Sequence, residues 1–160
     1  FLTAASEKGK LFIRKRHRCN FVEDEFFLGD FVSKDIKVPG TTEIGFRGLC
    51  FNTKLVSKKD IDFYSTNSNK AYLDYDKTGS DIKVRVFRPG DRFIPLGMKG
   101  TKKLKAFFID EKIPRDQRKS IPLITSINDD IIWVYEKRIG ERYRVTDKST
   151  RVMVVEGTMA

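Results

Sequence analysis

Apolar and polar residues alternate along much of the chain in the short stretches typical of β-strands. The clearest stretch runs from Asp81 to Arg88, where apolar and charged residues alternate at period two and predict a half-buried strand with a basic outer face. Leu123–Thr125 and Ile131–Val134 flank a polar turn at 128–130 and predict a hairpin. Further short strands are predicted at 10–14, 35–38, 43–51, 71–75, 143–145 and 152–155.

Helical periodicity is confined to the second half of the chain. After Thr101, a predicted N-cap, the side chains of Leu104, Phe107 and Phe108 fall on one face of a helix, and lysines occupy the other faces. We expect those three apolar side chains to be core rather than platforms for stacked bases. A proline opens a second, very short helix, predicted at 114–121.

These elements predict one mainly-β, α+β domain over residues 1–160, with one or two short helices at about 101–119. With 39% hydrophobic and 12% aromatic residues, the chain has enough apolar surface for one sizeable core. No apolar run approaches the roughly 18 residues that a membrane-spanning helix needs, so we expect a soluble domain with no membrane partner. A cytoplasmic location is expected because the two cysteines do not form a disulfide framework.

The basic charge is concentrated in one segment. The chain has 32 Lys and Arg residues against 22 Asp and Glu, a net charge of +10. Residues 83–119 contain twelve of the basic residues and only four acidic ones, while the rest of the chain is close to neutral. A solvated surface normally mixes the two signs, so this concentration favours a polyanionic partner such as a nucleic acid.

Candidate catalytic or metal-binding residues are few. The single histidine, His17, lies among basic residues that would depress its pKa and make it a poor general base. Cys19 and Cys50 form no CxxC pair, cannot complete a zinc site with one histidine, and are expected to be reduced. Asp74 and Asp76 would share a strand face and could hold a cation, although solvated carboxylates explain them more simply. We therefore expect neither a catalytic residue nor a metal site.

A glycine loop precedes the basic helix. The Gly97–Gly100 stretch lacks the spacing of a Walker phosphate loop, and no helix precedes it as a KH-type GxxG loop requires. Nevertheless, a glycine loop leading into a helix N-terminus presents backbone N–H groups and a positive dipole end, and both suit a phosphate.

The second half of the chain closely resembles the C-terminal domain of bacterial tRNA(Ile)-lysidine synthetases. The similarity covers residues 72–157, and residues 1–71 match more weakly as a variable, strand-rich first half. It rests on Val84–Gly97 (VRVFRPGDRFIPLG), the Lys102–Lys105 and Phe107–Pro114 stretches, Arg118, Pro122–Leu123, Trp133–Val134 and Ile139–Arg142.

The resemblance implies a function and a fold. Such enzymes activate the wobble cytidine of a minor isoleucine tRNA with ATP and Mg²⁺ and attach lysine to it. Their ATP chemistry belongs to an N-terminal domain with an S-G-G-x-D-S type loop, and that motif is absent from this sequence. The chain should therefore be catalytically silent alone, hold no cofactor, and grip the tRNA body and acceptor stem beside that domain. The implied fold is sandwich-like, of unusual topology, and related to a domain of phenylalanyl-tRNA synthetase.

Carried over to this sequence, the resemblance predicts RNA-backbone contacts by nine residues. Asp91 is expected to orient Arg92 or to close its turn. Ala106 departs from the family, which commonly has an acidic residue there, and makes the helix more basic. The predicted contacts are Arg88, Arg92, Lys99, Lys102, Lys103, Lys105, Lys112, Arg115 and Arg118.

Two other classes of function stay open on sequence alone. One is a generic basic module that binds rRNA or DNA. The other is a protein-interaction or homodimerisation domain whose basic surface meets an acidic partner. The salt dependence of binding separates nucleic-acid binding from an apolar interface. Competition between tRNA species separates the tRNA-binding domain of a lysidine ligase from a generic module.

Overall fold

The computed structural model describes residues 2–7, 10–15, 33–45, 48–61 and 67–159, with the backbone alone for the first two ranges. The strands in these residues are β1 (Leu2–Glu7), β2 (Lys10–Lys15), β3 (Lys34–Ile36), β4 (Gly40–Glu43), β5 (Leu49–Ser57), β6 (Lys70–Asp74), β7 (Ile82–Arg85), β8 (Arg92–Phe93), β9 (Lys102–Lys103), β10 (Leu123–Ser126), β11 (Ile131–Val134), β12 (Arg138–Ile139) and β13 (Arg151–Met159). The helices are α1 (Tyr75–Thr78), α2 (Leu104–Asp110) and the 3₁₀ turns Lys58–Asp60, Arg118–Ser120 and Glu141–Tyr143. Neither α-helix in the described ranges is long and apolar enough to cross a membrane.

Two antiparallel sheets form the body of the domain. The larger has the strand order β12-β11-β10-β7-β3, and the smaller has the order β4-β5-β13-β6. In the smaller sheet β13 pairs with β5 along its whole length, from Arg151 opposite Ser57 to Met159 opposite Leu49. Two further pairs stand apart from these sheets, β1 with β2 and β8 with β9.

The main core lies between the two sheets. Ile82, Val84 and Trp133 of the larger sheet share one buried cluster with Phe51 and Met153 of the smaller sheet. The rings of Phe51 and Trp133 meet edge to face, with their centroids 6.3 Å apart. The predicted mainly-β, sandwich-like fold with short helices is thereby confirmed.

Helix α2 covers the opposite face of the larger sheet. Leu123 and Val134 pack with the helix, whereas their neighbours Ile124 and Trp133 point into the main core. Because successive strand residues point to opposite faces, the centre of this sheet is buried on both sides. That double burial explains why β10 and β11 are buried throughout instead of alternating.

Two predicted strands differ from the structure. The strand predicted at 43–51 is interrupted: β4 ends at Glu43, and β5 begins at Leu49. Gly45 and Gly48, with φ of +69° and +67°, lie in the connection, where glycine adopts the left-handed region without strain. The strand predicted at 143–145 is wrong as well, since Tyr143 ends a 3₁₀ turn and its side chain is buried.

Candidate nucleic-acid interface

The predicted RNA-binding residues centre on a short ribbon followed by a helix, which we call the ribbon–helix unit (residues 92–110). Strands β8 and β9 form the ribbon, and α2 starts at Leu104 directly after it. Helix α2 buries Leu104, Phe107 and Phe108, as its periodicity predicts. Because that face is committed to the core, Lys105 is left exposed to solvent.

Register in the ribbon decides which lysine points outward. Phe93 pairs with Lys102, and Arg92 pairs with Lys103. Cross-strand partners share a face, so Lys102 lies on the side of the buried Phe93 while Arg92 and Lys103 lie on the other. Accordingly the Lys102 side chain is 23% exposed and forms an ion pair with Asp110.

The helix start differs from the prediction. Thr101 is not the N-cap, because the backbone of the next two residues pairs with β8. Lys103 holds the cap position and forms no side-chain capping bond. The Leu104 N–H donates to the Asp91 carbonyl at 2.8 Å. That N–H is therefore already used and is not free for a phosphate.

Ring contacts join the ribbon, the helix and the residues next to them. Phe93 packs edge to face on Phe107 with centroids 5.1 Å apart, and Phe87 packs on Phe108 at 5.6 Å. The Arg138 guanidinium lies 5.6 Å from the Phe107 ring centroid. These contacts hold the helix rigidly and set the direction of its polar face.

The loop that joins β8 to β9 (residues 94–101) is bonded to β12 and to the segment that follows it. The Leu96 N–H donates to the Ile139 carbonyl at 3.0 Å, and the Glu141 N–H donates to the Ile94 carbonyl at 2.8 Å. The Gly97 N–H donates to Glu141 Oε2 at 2.7 Å. Gly97, with φ of +85°, turns the chain here. The glycine loop thus has a defined path, and the Gly97 N–H is occupied by a carboxylate.

A buried arginine organises the loop before the ribbon. Arg85 ends β7 with its side chain only 3% exposed, and its guanidinium donates two bonds of 2.9 Å to the Asp91 carboxylate. Its Nε donates to Asp129 Oδ1 at 2.7 Å. Asp91 Oδ2 also accepts the Arg88 N–H at 2.8 Å. Burial alone would lower the pKa of Arg85, but the hydrogen bonds that it donates to Asp91 and Asp129 outweigh burial and raise that pKa.

This arrangement corrects two predictions. The strand ends at Arg85 instead of continuing to Arg88, and its outer face is not uniformly basic because Arg85 is buried. Asp91 closes its turn, as one of the two predicted roles required, but its guanidinium partner is Arg85 and not Arg92.

All nine predicted RNA-binding residues lie in the described part of the chain, and they divide into two groups. Three have partners inside the domain: Arg88 lies 3.6 Å from Asp129, Lys102 pairs with Asp110, and the Arg118 Nε donates to the Ile113 carbonyl at 3.0 Å. The other six are exposed and form no ion pair with a described residue. These six, which we call the free cations, are Arg92, Lys99, Lys103, Lys105, Lys112 and Arg115.

The remaining candidate residues are structural where they are described. Asp74 is buried; it accepts the Asp76 N–H at 3.0 Å as the N-cap of α1 and the Ser149 hydroxyl at 2.7 Å. Burial would raise the pKa of Asp74, but its bonds to Ser149, Lys77 and Asp76 lower it. Asp76 is instead exposed and pairs with Arg151, so the two carboxylates share no strand face, and the expectation that Asp74 is solvated is wrong.

Of the histidine and the two cysteines, only Cys50 lies in the described part of the chain. His17 and Cys19 lie outside the described residues, and Cys50 is buried on β5. No group of three or more metal-ligand side chains comes together within the described ranges.

The fold defines a class: a two-sheet β-sandwich with a helix on the outer face of its larger sheet. The six free cations lie within the ribbon–helix unit or directly after it in sequence. Residues 82–156 match the family model described as "TilS substrate C-terminal domain". The chain is 43% identical over 123 residues to the tRNA(Ile)-lysidine synthase of Caldanaerobacter subterraneus subsp. tengcongensis, covering 77% of this chain and 26% of that protein. With the Parabacteroides distasonis synthase it is 32% identical over 166 residues, covering 97% of this chain and 36% of that protein.

Solved structures agree on the fold. A crystal structure of a TilS C-terminal domain has a TM-score of 0.64 at 22% identity, covering 79% of this chain and 97% of that one. An N-terminal fragment of the Pyrococcus horikoshii phenylalanyl-tRNA synthetase β-subunit has a TM-score of 0.50 at 18% identity, covering 57% and 28%. The chain belongs to the family of tRNA(Ile)-lysidine synthase C-terminal domains, and the resemblance noted in its sequence is confirmed. It spans about a quarter to a third of the length of the two relatives compared.

Proposed function

We propose that this chain is the tRNA-binding domain of a tRNA(Ile)-lysidine ligase and grips the body and acceptor stem of a minor isoleucine tRNA. In this proposal an N-terminal domain of the same protein uses ATP and Mg²⁺ to attach lysine to the wobble cytidine. The family supports the substrate, since its relatives are tRNA(Ile)-lysidine synthases. Such a ligase would work in the cytoplasm, where tRNA is modified.

One observation carries the proposal: Arg92 stands directly opposite Lys103 on the outer face of the ribbon. Like charges at directly facing positions destabilise a strand pair. Neither residue forms an ion pair with any residue that the structure describes. An RNA phosphate between them would turn this repulsion into two charge-assisted contacts.

The other free cations lie near this pair in sequence. Lys99 belongs to the loop of the ribbon, and Lys105 lies on the first turn of α2. Lys112 and Arg115 follow the helix and are exposed. Contacts of this kind hold the phosphate backbone and release counterions; they supply affinity and position, and they do not read bases.

The test is the binding of this chain to the minor isoleucine tRNA over a salt series. The variant Arg92→Ala/Lys103→Ala/Lys105→Ala removes three free cations, so the slope of log K against log salt should flatten by about two to three. Lys54→Ala, an exposed lysine on β5, is the control and should leave the slope unchanged. Lys102→Ala should have a smaller effect than Lys103→Ala, because Lys102 is already paired with Asp110.

Three outcomes would count against the proposal. Absence of tRNA binding at low salt would exclude an RNA-gripping role. Binding that is indifferent to the triple substitution would move the RNA site away from the ribbon–helix unit. Equal affinity for unrelated tRNAs and for other structured RNA would leave a generic RNA module in place of a lysidine ligase domain.

A further inference from the structure

Two apolar side chains are exposed on the loop of the ribbon (residues 94–101). Leu96 is 41% exposed and Met98 is 38% exposed, and they flank Gly97. Single exposed apolar residues are ordinary on protein surfaces. Two of them on one short loop within the most basic segment of the chain present an apolar surface that the phosphate contacts do not use.

Backbone hydrogen bonds fix the path of the chain at both residues. The Leu96 N–H is bonded to the Ile139 carbonyl, and the Met98 N–H donates to the Pro95 carbonyl at 2.9 Å. Gly97 between them is bonded to Glu141 and takes a φ of +85°. A loop whose backbone is already held in one conformation loses little conformational entropy when a ligand binds to it.

The charge around the loop indicates what covers it. Arg92 and Lys99 flank the two apolar residues in sequence, and Lys103 stands opposite Arg92. Glu141, whose Oε2 accepts from Gly97, is also paired through Oε1 with the Arg144 Nε at 2.9 Å. A ligand with an apolar face edged by negative charge fits this setting, and a nucleotide has that form: a flat base beside a phosphate.

We propose that Leu96 and Met98 pack against the face of an unpaired nucleotide of the bound RNA, while Arg92, Lys99 and Lys103 hold the neighbouring phosphates. This inference rests on the proposed function. An unpaired nucleotide is required because base faces in an RNA duplex are stacked, and its minor groove displays polar hydroxyl groups. Side chains that cannot donate or accept hydrogen bonds contribute affinity there by excluding water, without choosing a base.

The experiment compares a short RNA duplex with the same duplex carrying a single-stranded 3′ tail, over a salt series. Leu96→Ser/Met98→Ser should weaken binding of the tailed RNA about tenfold, as expected when two apolar side chains no longer exclude water. The loss should be the same at every salt concentration, because no counterion is released by an apolar contact. Binding of the blunt duplex should change less than about twofold.

Controls separate the contact from damage to the fold. Met159→Ser removes an exposed methionine at the end of β13 and should leave both affinities unchanged. Leu96→Met/Met98→Leu keeps the loop apolar and should retain most of the preference for the tailed RNA. If Leu96→Met/Met98→Leu lost this preference, the effect of Leu96→Ser/Met98→Ser would come from a change in loop structure, and the proposal would be overturned.

The remaining outcomes are distinct. An equal loss on tailed and blunt RNA, or no loss on either, would overturn the nucleotide contact and leave the phosphate-binding proposal standing. If the unsubstituted chain bound neither RNA, the proposed function itself would fail, and this inference with it.

Discussion

Substituting Asp91 by alanine tests the buried arginine most sharply. The variant removes both acceptors of the Arg85 fork and the acceptor of the Arg88 N–H. It leaves a guanidinium that is 3% exposed with Asp129 as its remaining carboxylate partner. A buried charge that loses its partner cannot recover its hydration, so the folded state must carry most of the desolvation penalty.

The structure sets the size of the effect. Removing one partner of a buried ion pair costs about 3–5 kcal/mol. Asp129 still accepts from the Arg85 Nε at 2.7 Å, so we expect the lower end, about 3 kcal/mol. For a chain of this size, that loss lowers the melting temperature by about 6–12 °C.

Urea unfolding followed by circular dichroism measures this loss, with the m-value as a check that the unfolded state is unchanged. Asp147→Ala, which removes a solvent-exposed partner of Lys58, should have no measurable effect. Arg85→Met/Asp91→Ala should be more stable than the sum of its single variants predicts, because no charge is then left buried without a partner. A cost below about 1 kcal/mol for Asp91→Ala, or strict additivity of the pair, would refute the reasoning.

Three further substitutions test the core, a turn and a buried carboxylate. Phe108→Ala should cost about 3–5 kcal/mol in urea unfolding because the ring is completely buried, whereas Ile109→Ala on the exposed face of α2 should cost far less. Gly140→Ala should lower the melting temperature, since the added Cβ would lie 2.9 Å from the backbone oxygen of residue 131. Ser149→Ala should cost about 1–3 kcal/mol at neutral pH by removing a donor from buried Asp74. Because the pKa of Asp74 is lowered in the folded state, its carboxylate stabilises the fold at pH values above its ordinary pKa of 3.8, and this stabilisation is lost as the pH falls further. The free energy of unfolding should therefore fall less steeply with acid in Ser149→Ala than in the unsubstituted chain.

Local sequence patterns predict the structure correctly where residues close in sequence determine which side chains are buried. The hairpin of β10 and β11 was predicted from two apolar runs around a polar turn, and the turn residue Asp129 indeed has a φ of +66°. The buried face of α2 followed from helical spacing alone. Both are cases in which neighbours in sequence determine the outcome.

Predictions failed where distant residues decide the structure. Arg85 sits at a strand position that normally faces solvent, and its burial depends in part on Asp129, 44 positions away. No pattern in the sequence around Arg85 predicts its ion pair with Asp129. The N-cap at Thr101 failed for a similar reason, because pairing of Lys102 and Lys103 with β8 delays the helix.

The candidate site shows the same limit. Its basic residues were evident from the charge distribution, but the distinction between free and paired cations was not. Lys102 and Lys103 are adjacent in sequence; only the ribbon register turns one towards Asp110 and leaves the other outside. The fixed path of Leu96 likewise depends on Ile139, a contact without a sequence signal.

The most direct test of the central claim is lysine footprinting: acetylation of this chain with and without the minor isoleucine tRNA, read residue by residue by mass spectrometry. The account predicts that Lys99, Lys103 and Lys105 are strongly protected by the tRNA at low salt and regain reactivity as salt rises. Lys54 and Lys148, which are exposed outside the ribbon–helix unit, should react equally in both samples. Protection of Lys54 and Lys148 with full reactivity at the ribbon and helix would contradict the account.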